Sequence, residues 1–214
     1  MRKNKAVFAE AIEDILKDQC TPAVVRAIEA GGSAAALWDA VAGAGFLALM
    51  APESEGGADL SLAELFPVLS HFGRYTVPMP VAQTIVARAL LASQMIMPDG
   101  MITLASAFRR ETGGGITCEF TPYGLLADFV LACDGDVLLL LPCAAARRQA
   151  TGVNRSLTAT LTWPDASSAA RAPRGGAPTS RSRTTSPRKY CGSPATTACP
   201  PRCRLARSRT TRCN

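Results

Sequence analysis

Apolar residues recur at three–four spacing through the N-terminal half of this chain and at a spacing of two after it. Phe8, Ala11, Ile12, Ile15 and Leu16 line one face of a helix. Thr21-Pro22 is an N-cap followed by proline at the first helical position, so a second helix runs to about Ala30, where Gly31-Gly32 ends it. Ser33 is placed to cap a third helix, through Leu37, Trp38 and Val41, that stops near Gly45. Ser61-Leu62-Ala63-Glu64 spells a capping box, and Leu62, Leu65, Phe66, Leu69 and Phe72 follow at helical spacing. Pro67 inside that helix predicts a kink. After an extended Val77-Pro78-Met79-Pro80 link, a fifth helix covers Val81 to Ser93.

From Gly100 the period changes. Short apolar or alternating runs cover 101–108, 116–120, 127–132, 137–141 and 156–163. Gly113-Gly114-Gly115 and Asp134-Gly135-Asp136 read as turns between them. Leu157, Ala159, Leu161 and Trp163 alternate with threonines, the mark of a strand buried on one face. The predicted class is α+β: an all-helical domain over residues 1–98, then a small antiparallel β-domain over 99–165.

Charge sets the last part of the chain apart. All seventeen acidic residues lie at or before Asp165, while ten arginines and Lys189 fall after residue 170. After Ala166 there are six prolines, one leucine, one tyrosine and no Val, Ile, Phe, Met or Trp. Such a stretch cannot bury enough apolar surface to offset its chain entropy, so 166–214 is expected to be a disordered basic tail. The abrupt change of composition is that of an out-of-frame reading of a GC-rich gene; a genuine basic extension is the rival account.

Candidate chemistry is sparse. Cys20, Cys118, Cys133 and Cys143 have no ligand spacing and read as ordinary thiols of a cytoplasmic protein. Cys191, Cys199, Cys203 and Cys213 lack any Cys-x-x-Cys pair or neighbouring histidine, so no metal site is expected. His71, the single histidine, has no evident orienting partner. Val137 to Leu141 is too short to span a bilayer, and acidic residues interrupt any export segment near the start, so no membrane role is expected. The tail's charges are dispersed among Pro and Thr with one stacking group, Tyr190, which argues against specific nucleic-acid binding.

One cluster points to a family. Phe46-Leu47-Ala48-Leu49-Met50-Ala51-Pro52-Glu53, then Gly56-Gly57-Ala58-Asp59-Leu60-Ser61, then Phe72-Gly73-Arg74 and Val77-Pro78-Met79-Pro80, resembles the N-terminal helical domain of the acyl-CoA dehydrogenases. Phe120-Thr121-Pro122 and Ala127-Asp128 extend the resemblance into the β-domain. It implies a flavoprotein that binds FAD and an acyl-CoA substrate and works as a homo- or hetero-oligomer with another such subunit. It assigns flavin contacts to Ser106, Phe120 and Thr121.

The chain also departs from that pattern. Ser106-Ala107-Phe108-Arg109-Arg110 stands where the family carries a Thr-Glu-Pro…Gly-Ser-Asp loop, and Pro122 stands where a hydrogen-bonding threonine is usual. The family's general-base glutamate and Arg-x-x-Phe-Gly motif have no counterpart after Trp163. No catalytic residue is therefore assigned. The expectation is a dehydrogenase-like subunit inactive alone; the alternatives are a non-catalytic subunit that completes a partner's flavin site, and a basic-tail protein for anionic partners.

Overall fold

The computed structural model describes residues 5–174, apart from 93, 96 and 166, with the first side chains described from Val7. The expected tail falls largely outside the described residues. Five α-helices come first: α1 (Lys5–Gln19), α2 (Pro22–Glu29), α3 (Ala35–Gly43), α4 (Leu62–Arg74) and α5 (Val81–Leu91). Thr21 caps α2 by accepting the Val24 N–H, and Ser61 and Glu64 close a complete capping box on α4. At α3 the cap is displaced. Ala34 is the N-cap residue, and Ser33 takes the Ala35 N–H at 3.2 Å from one position further out. Helix α4 is continuous through Pro67. Ile12 and Leu16 of α1, Trp38 and Val41 of α3, and Leu65 and Val68 of α4 meet in one buried cluster.

Between α3 and α4 the chain makes two 3-10 turns, Phe46–Ala48 and Glu53–Glu55, and folds back on itself. The Ala58, Asp59 and Leu60 N–H groups donate to the carbonyls of Ala48, Ala51 and Leu49 at 3.3, 2.9 and 2.9 Å. Gly56 supplies φ 78. Gly57 is held against its own loop: a Cβ there would meet the Ala51 oxygen at 2.0 Å.

Eight strands follow among the described residues: β1 (Ile102–Leu104), β2 (Ala107–Arg110), β3 (Ile116–Thr121), β4 (Phe129–Asp134), β5 (Val137–Pro142), β6 (Arg147–Ala150), β7 (Ala159–Trp163) and β8 (Ala170–Pro173). They form two four-stranded sheets in the orders β1-β4-β5-β8 and β2-β3-β7-β6. Every pair is antiparallel except β1 with β4, which is parallel. The α+β class and the order of helices before strands are as expected. The apolar run 101–108 is two strands, not one: it ends in the first sheet at Leu104 and re-enters in the second at Ala107. Strand β8 also lies past the expected boundary at 165, because β5 has an open edge that Ala170–Pro173 fills.

The layers explain the sequence pattern. Leu139 and Leu141 of β5 face Ile116, Cys118, Leu161 and Trp163 of the second sheet, whereas Leu138 and Leu140 pack with Ala87 and Leu91 of α5. Strand β5 is buried on both faces, so its apolar run is unbroken; β7 is buried on one, so it alternates. Helix α5 is tied to the first sheet through Thr84. Its buried hydroxyl donates to the Ile102 carbonyl at 3.0 Å and accepts the Ile102 N–H at 2.9 Å, pairing the free edge of β1.

Candidate functional site

A cleft of about 590 Å³ opens where the end of α4, the link into α5 and the first turn of α5 meet two loops of the β-domain. Its helical wall includes Phe72, Met79 and Gln83; its β wall includes Pro122, Tyr123, Arg155 and Thr158. The walls are joined at Thr103. Its hydroxyl lies 2.6 Å from the Gln83 side-chain amide and 2.6 Å from the Pro122 carbonyl. The hydroxyl has one proton and faces two acceptors, Gln83 Oε1 and the Pro122 carbonyl, so it donates to one of them at a time.

Strained backbone gathers around this cleft. Of the five non-glycine residues with positive φ among the described residues, Thr76 (49), Tyr123 (54) and Arg155 (60) line it, and Phe120 (47) lies two residues before Pro122. Such conformations cost about 1–2 kcal/mol each and cluster where a side chain must be aimed. The Phe120 strain has a visible origin. The register of β3 against β7 slips between Cys118 and Thr121, a β-bulge that Thr121 pins by donating its hydroxyl to the Cys118 carbonyl at 3.3 Å. The bulge turns the Phe120 ring outward, and the residue is 65% exposed. Tyr123 is half-buried, and burial raises its phenol above the ordinary value, so it remains a hydrogen-bond donor at neutral pH.

Two of the three residues assigned to flavin are brought together. Ala107 pairs with Glu119, so Ser106, exposed at the bend before β2, stands across the ladder from Phe120. Thr121 is wholly buried and its hydroxyl is used within the bulge. Tyr123, Arg155 and Gln83 were not singled out from sequence. Only Tyr123, beside a Pro-Tyr-Gly turn, had any local signal.

Other titratable and glycine-rich features are not part of the cleft lining. Glu53 and Glu55 sit on the exposed 3-10 turn before Gly56. His71 is half-buried in the last turn of α4, with Nδ1 lacking a hydrogen-bond partner. Gly113-Gly114-Gly115 forms the β2–β3 hairpin turn, closed by the Glu111 N–H on the Gly115 carbonyl at 2.9 Å. Among the described residues no group of His, Cys, Asp or Glu could hold a metal ion, and no helix is long and apolar enough to cross a membrane.

The helical part matches a known family model, the acyl-CoA dehydrogenase N-terminal domain, over residues 3–101. This family likeness covers residues 3–101, just under half of the chain. Solved structures of the family's architecture extend the likeness through the β-domain. The ChsE4-ChsE5 complex from Mycobacterium tuberculosis superposes with a TM-score of 0.61 at 19% identity over 82% of this chain and 58% of its own. The Tcur3481-Tcur3483 steroid ACAD does so with 0.59 at 24% identity over 80% of this chain and 56% of its own. These likenesses are of fold, and the chain spans little more than half of either protein. No curated protein matches the sequence.

Proposed function

We propose that this chain is a subunit of an acyl-CoA dehydrogenase-type flavoprotein and supplies the helical and β walls of a flavin and thioester site. The observation that carries this reading is Phe120: an aromatic ring held outward in a strained conformation, beside an interdomain cleft, on this family's fold. The residues present fit a flat aromatic cofactor. Phe120 offers a ring face, Ser106 a hydroxyl at the bend before β2, and Thr121 fixes the bulge rather than touching the ligand through its side chain. Bound FAD would supply the acceptor for the hydride leaving the β-carbon of an acyl-CoA.

The chain's own contribution is positional. The mostly apolar cleft takes an acyl chain, and the Thr103 link holds the cleft walls at a fixed separation. Removal of the α-proton needs a carboxylate against that carbon. Glu29 is the only carboxylate lining the described cleft, and it stands at the end of α2 on the helical wall. We assign the base to a partner subunit, so that the chain is inactive alone. Both matched proteins bear two-component names, which supports a hetero-oligomer.

The test is a titration of FAD with the full chain, alone and co-expressed with an acyl-CoA dehydrogenase subunit that carries its own carboxylate base. Flavin should be retained by the co-expressed pair, and Phe120→Ala should weaken it about tenfold. A pair that forms without flavin, or flavin retention indifferent to residue 120, would overturn the assignment.

A further inference from the structure

The solvent face of α4 carries almost no charge. Its exposed positions are Leu62, Ala63, Phe66, Ser70, Gly73 and Arg74, and the arginine turns aside to meet Glu13 of α1 at 3.2 Å. The exposed positions of α1, by contrast, include Glu10, Asp14, Lys17 and Asp18. A solvated helix carries charge on its outer face, whereas the core of an interface is depleted of it. Leu62 is 59% exposed and Phe66 is 66% exposed, one turn apart on the same side of the helix. The single hydroxyl between them and the helix end is satisfied within the helix: Ser70 donates to the Phe66 carbonyl at 2.9 Å.

Large and small residues alternate along this face. Leu62, Phe66, Leu69 and Gly73 follow at intervals of four, three and four, the spacing of a helix–helix seam. Gly73 has ordinary helical backbone, and a Cβ there would find nothing within 4 Å, so neither a turn nor a neighbour inside the chain requires glycine. It weakens the helix relative to alanine and leaves a gap on the surface. Two copies of α4 laid antiparallel about a two-fold axis set Leu62 of each over Gly73 of the other, and Phe66 over Leu69. The bulky residue and the gap that receives it lie on one face, so the surface complements itself. Residues 175–214 hold one leucine, one tyrosine and no Val, Ile, Phe, Met or Trp, and so supply no matching apolar face.

We propose that the outer face of α4 is a self-association surface through which this chain pairs with a second copy of itself. A helix of 13 residues is about 20 Å long, and its face covers on the order of 400 Å² per chain, at the low end of specific interfaces. The dimer is accordingly weak, with a Kd on the order of 10–100 µM. Its centre holds no ion pair, so salt does not dissociate it. Leu69 and Gly73 also line the cleft, which puts the second copy at the cleft's helical rim. The pairing does not rest on the flavin reading.

Sedimentation equilibrium of the full chain without flavin, from about 5 to about 500 µM, tests it. Runs at about 0.15 and about 0.5 M salt separate apolar pairing from association through the basic residues after Arg174. The variants are Phe66→Asp, Leu62→Ala, Gly73→Leu and the Leu62→Ala/Gly73→Leu pair, each checked for fold by circular dichroism. Wild type should approach the dimer mass in both salts, and Phe66→Asp should stay monomeric. Leu62→Ala and Gly73→Leu should each weaken the dimer about tenfold, and the double variant, which exchanges bulk and gap across the seam, should recover to within about threefold of wild type. A wild type that is monomeric throughout overturns the proposal. So does a dimer that survives Phe66→Asp, one that dissociates at the higher salt, or a double variant no tighter than either single one. A chain that is monomeric alone but loses a co-purifying subunit on Phe66→Asp would give this face to another protein, against the proposal.

Discussion

Two turns of this molecule meet the same backbone demand in opposite ways. Between α3 and α4 the chain needs a positive φ and a close approach, and it places Gly56 and Gly57 there. At the end of β3 it needs positive φ twice within four residues, and it places Phe120 and Tyr123 there. The first turn relieves its strain at Gly56 and Gly57, which have no side chain to offer, and keeps it only at Asp59 (φ 49). The second retains strain in order to present two aromatic rings. The contrast separates architecture from chemistry: the turn that most clearly marks the family holds α4 to the core, and the less recognisable turn faces the cleft.

The strongest way to break this comparison is to substitute Gly57. A Cβ at residue 57 meets the Ala51 oxygen at 2.0 Å and the Ala48 oxygen at 2.7 Å, both of them backbone atoms that cannot rotate away. Gly57→Ala is expected to cost about 4 kcal/mol and lower the melting temperature by roughly 10 °C, followed by circular dichroism. If the variant melts with wild type, the turn is not held as described.

Alkaline pH tests the β half in the same terms. Burial pushes the Cys118 thiol up to about 12 and the Cys143 thiol up to about 11, from 9.0. The folded state keeps protons that the unfolded chain gives up, so these thiols contribute fully below pH 9 and lose that contribution as pH rises toward 11–12. Urea midpoints should be flat near neutrality and fall above pH 9, by up to about 1.4 kcal/mol per pH unit for each thiol. A midpoint that holds steady to pH 11 would contradict the burial of both. Removing the α4 cap has a smaller effect. Ser61→Ala removes the hydroxyl that accepts the Glu64 N–H at 3.3 Å and should cost about 1 kcal/mol in the same urea titration.

The comparison also tells which parts of the fold could be read from sequence. Helices α2 and α4 are announced by residues that act locally: Thr21 with Pro22, and Ser61 with Glu64. The cap of α3 shifted by one residue: Ser33 takes the Ala35 N–H from the position before the N-cap Ala34. The strands depend on distant partners. Arg147–Ala150 and Ala170–Pro173 have no apolar alternation of their own and become strands only because β7 and β5 offer them an edge. The break at Ala105-Ser106 was hidden for the same reason: the choice of sheet is made by β4 and β3, not by residues 101–108. In the site, Phe120 could be assigned by resemblance, but its bulge could not. Arg155 left no trace in sequence, since only the folded loop brings it to the cleft.

The mildest prediction carries the comparison to its end. Phe120→Gly gives the second turn the solution used by the first. The left-handed conformation costs a phenylalanine about 1–2 kcal/mol and a glycine almost nothing. Glycine returns about 0.5–1 kcal/mol of that through the entropy of the unfolded chain, and the ring, already 65% exposed, has little burial to lose. The net expectation is a gain of about 0.5 kcal/mol in the urea titration, together with weakened flavin retention. A change that stabilises the fold while removing the ligand would identify the strain as serving the site. A destabilised Phe120→Gly would mean that the ring packs against something the fold requires, and the second turn would then be architecture like the first.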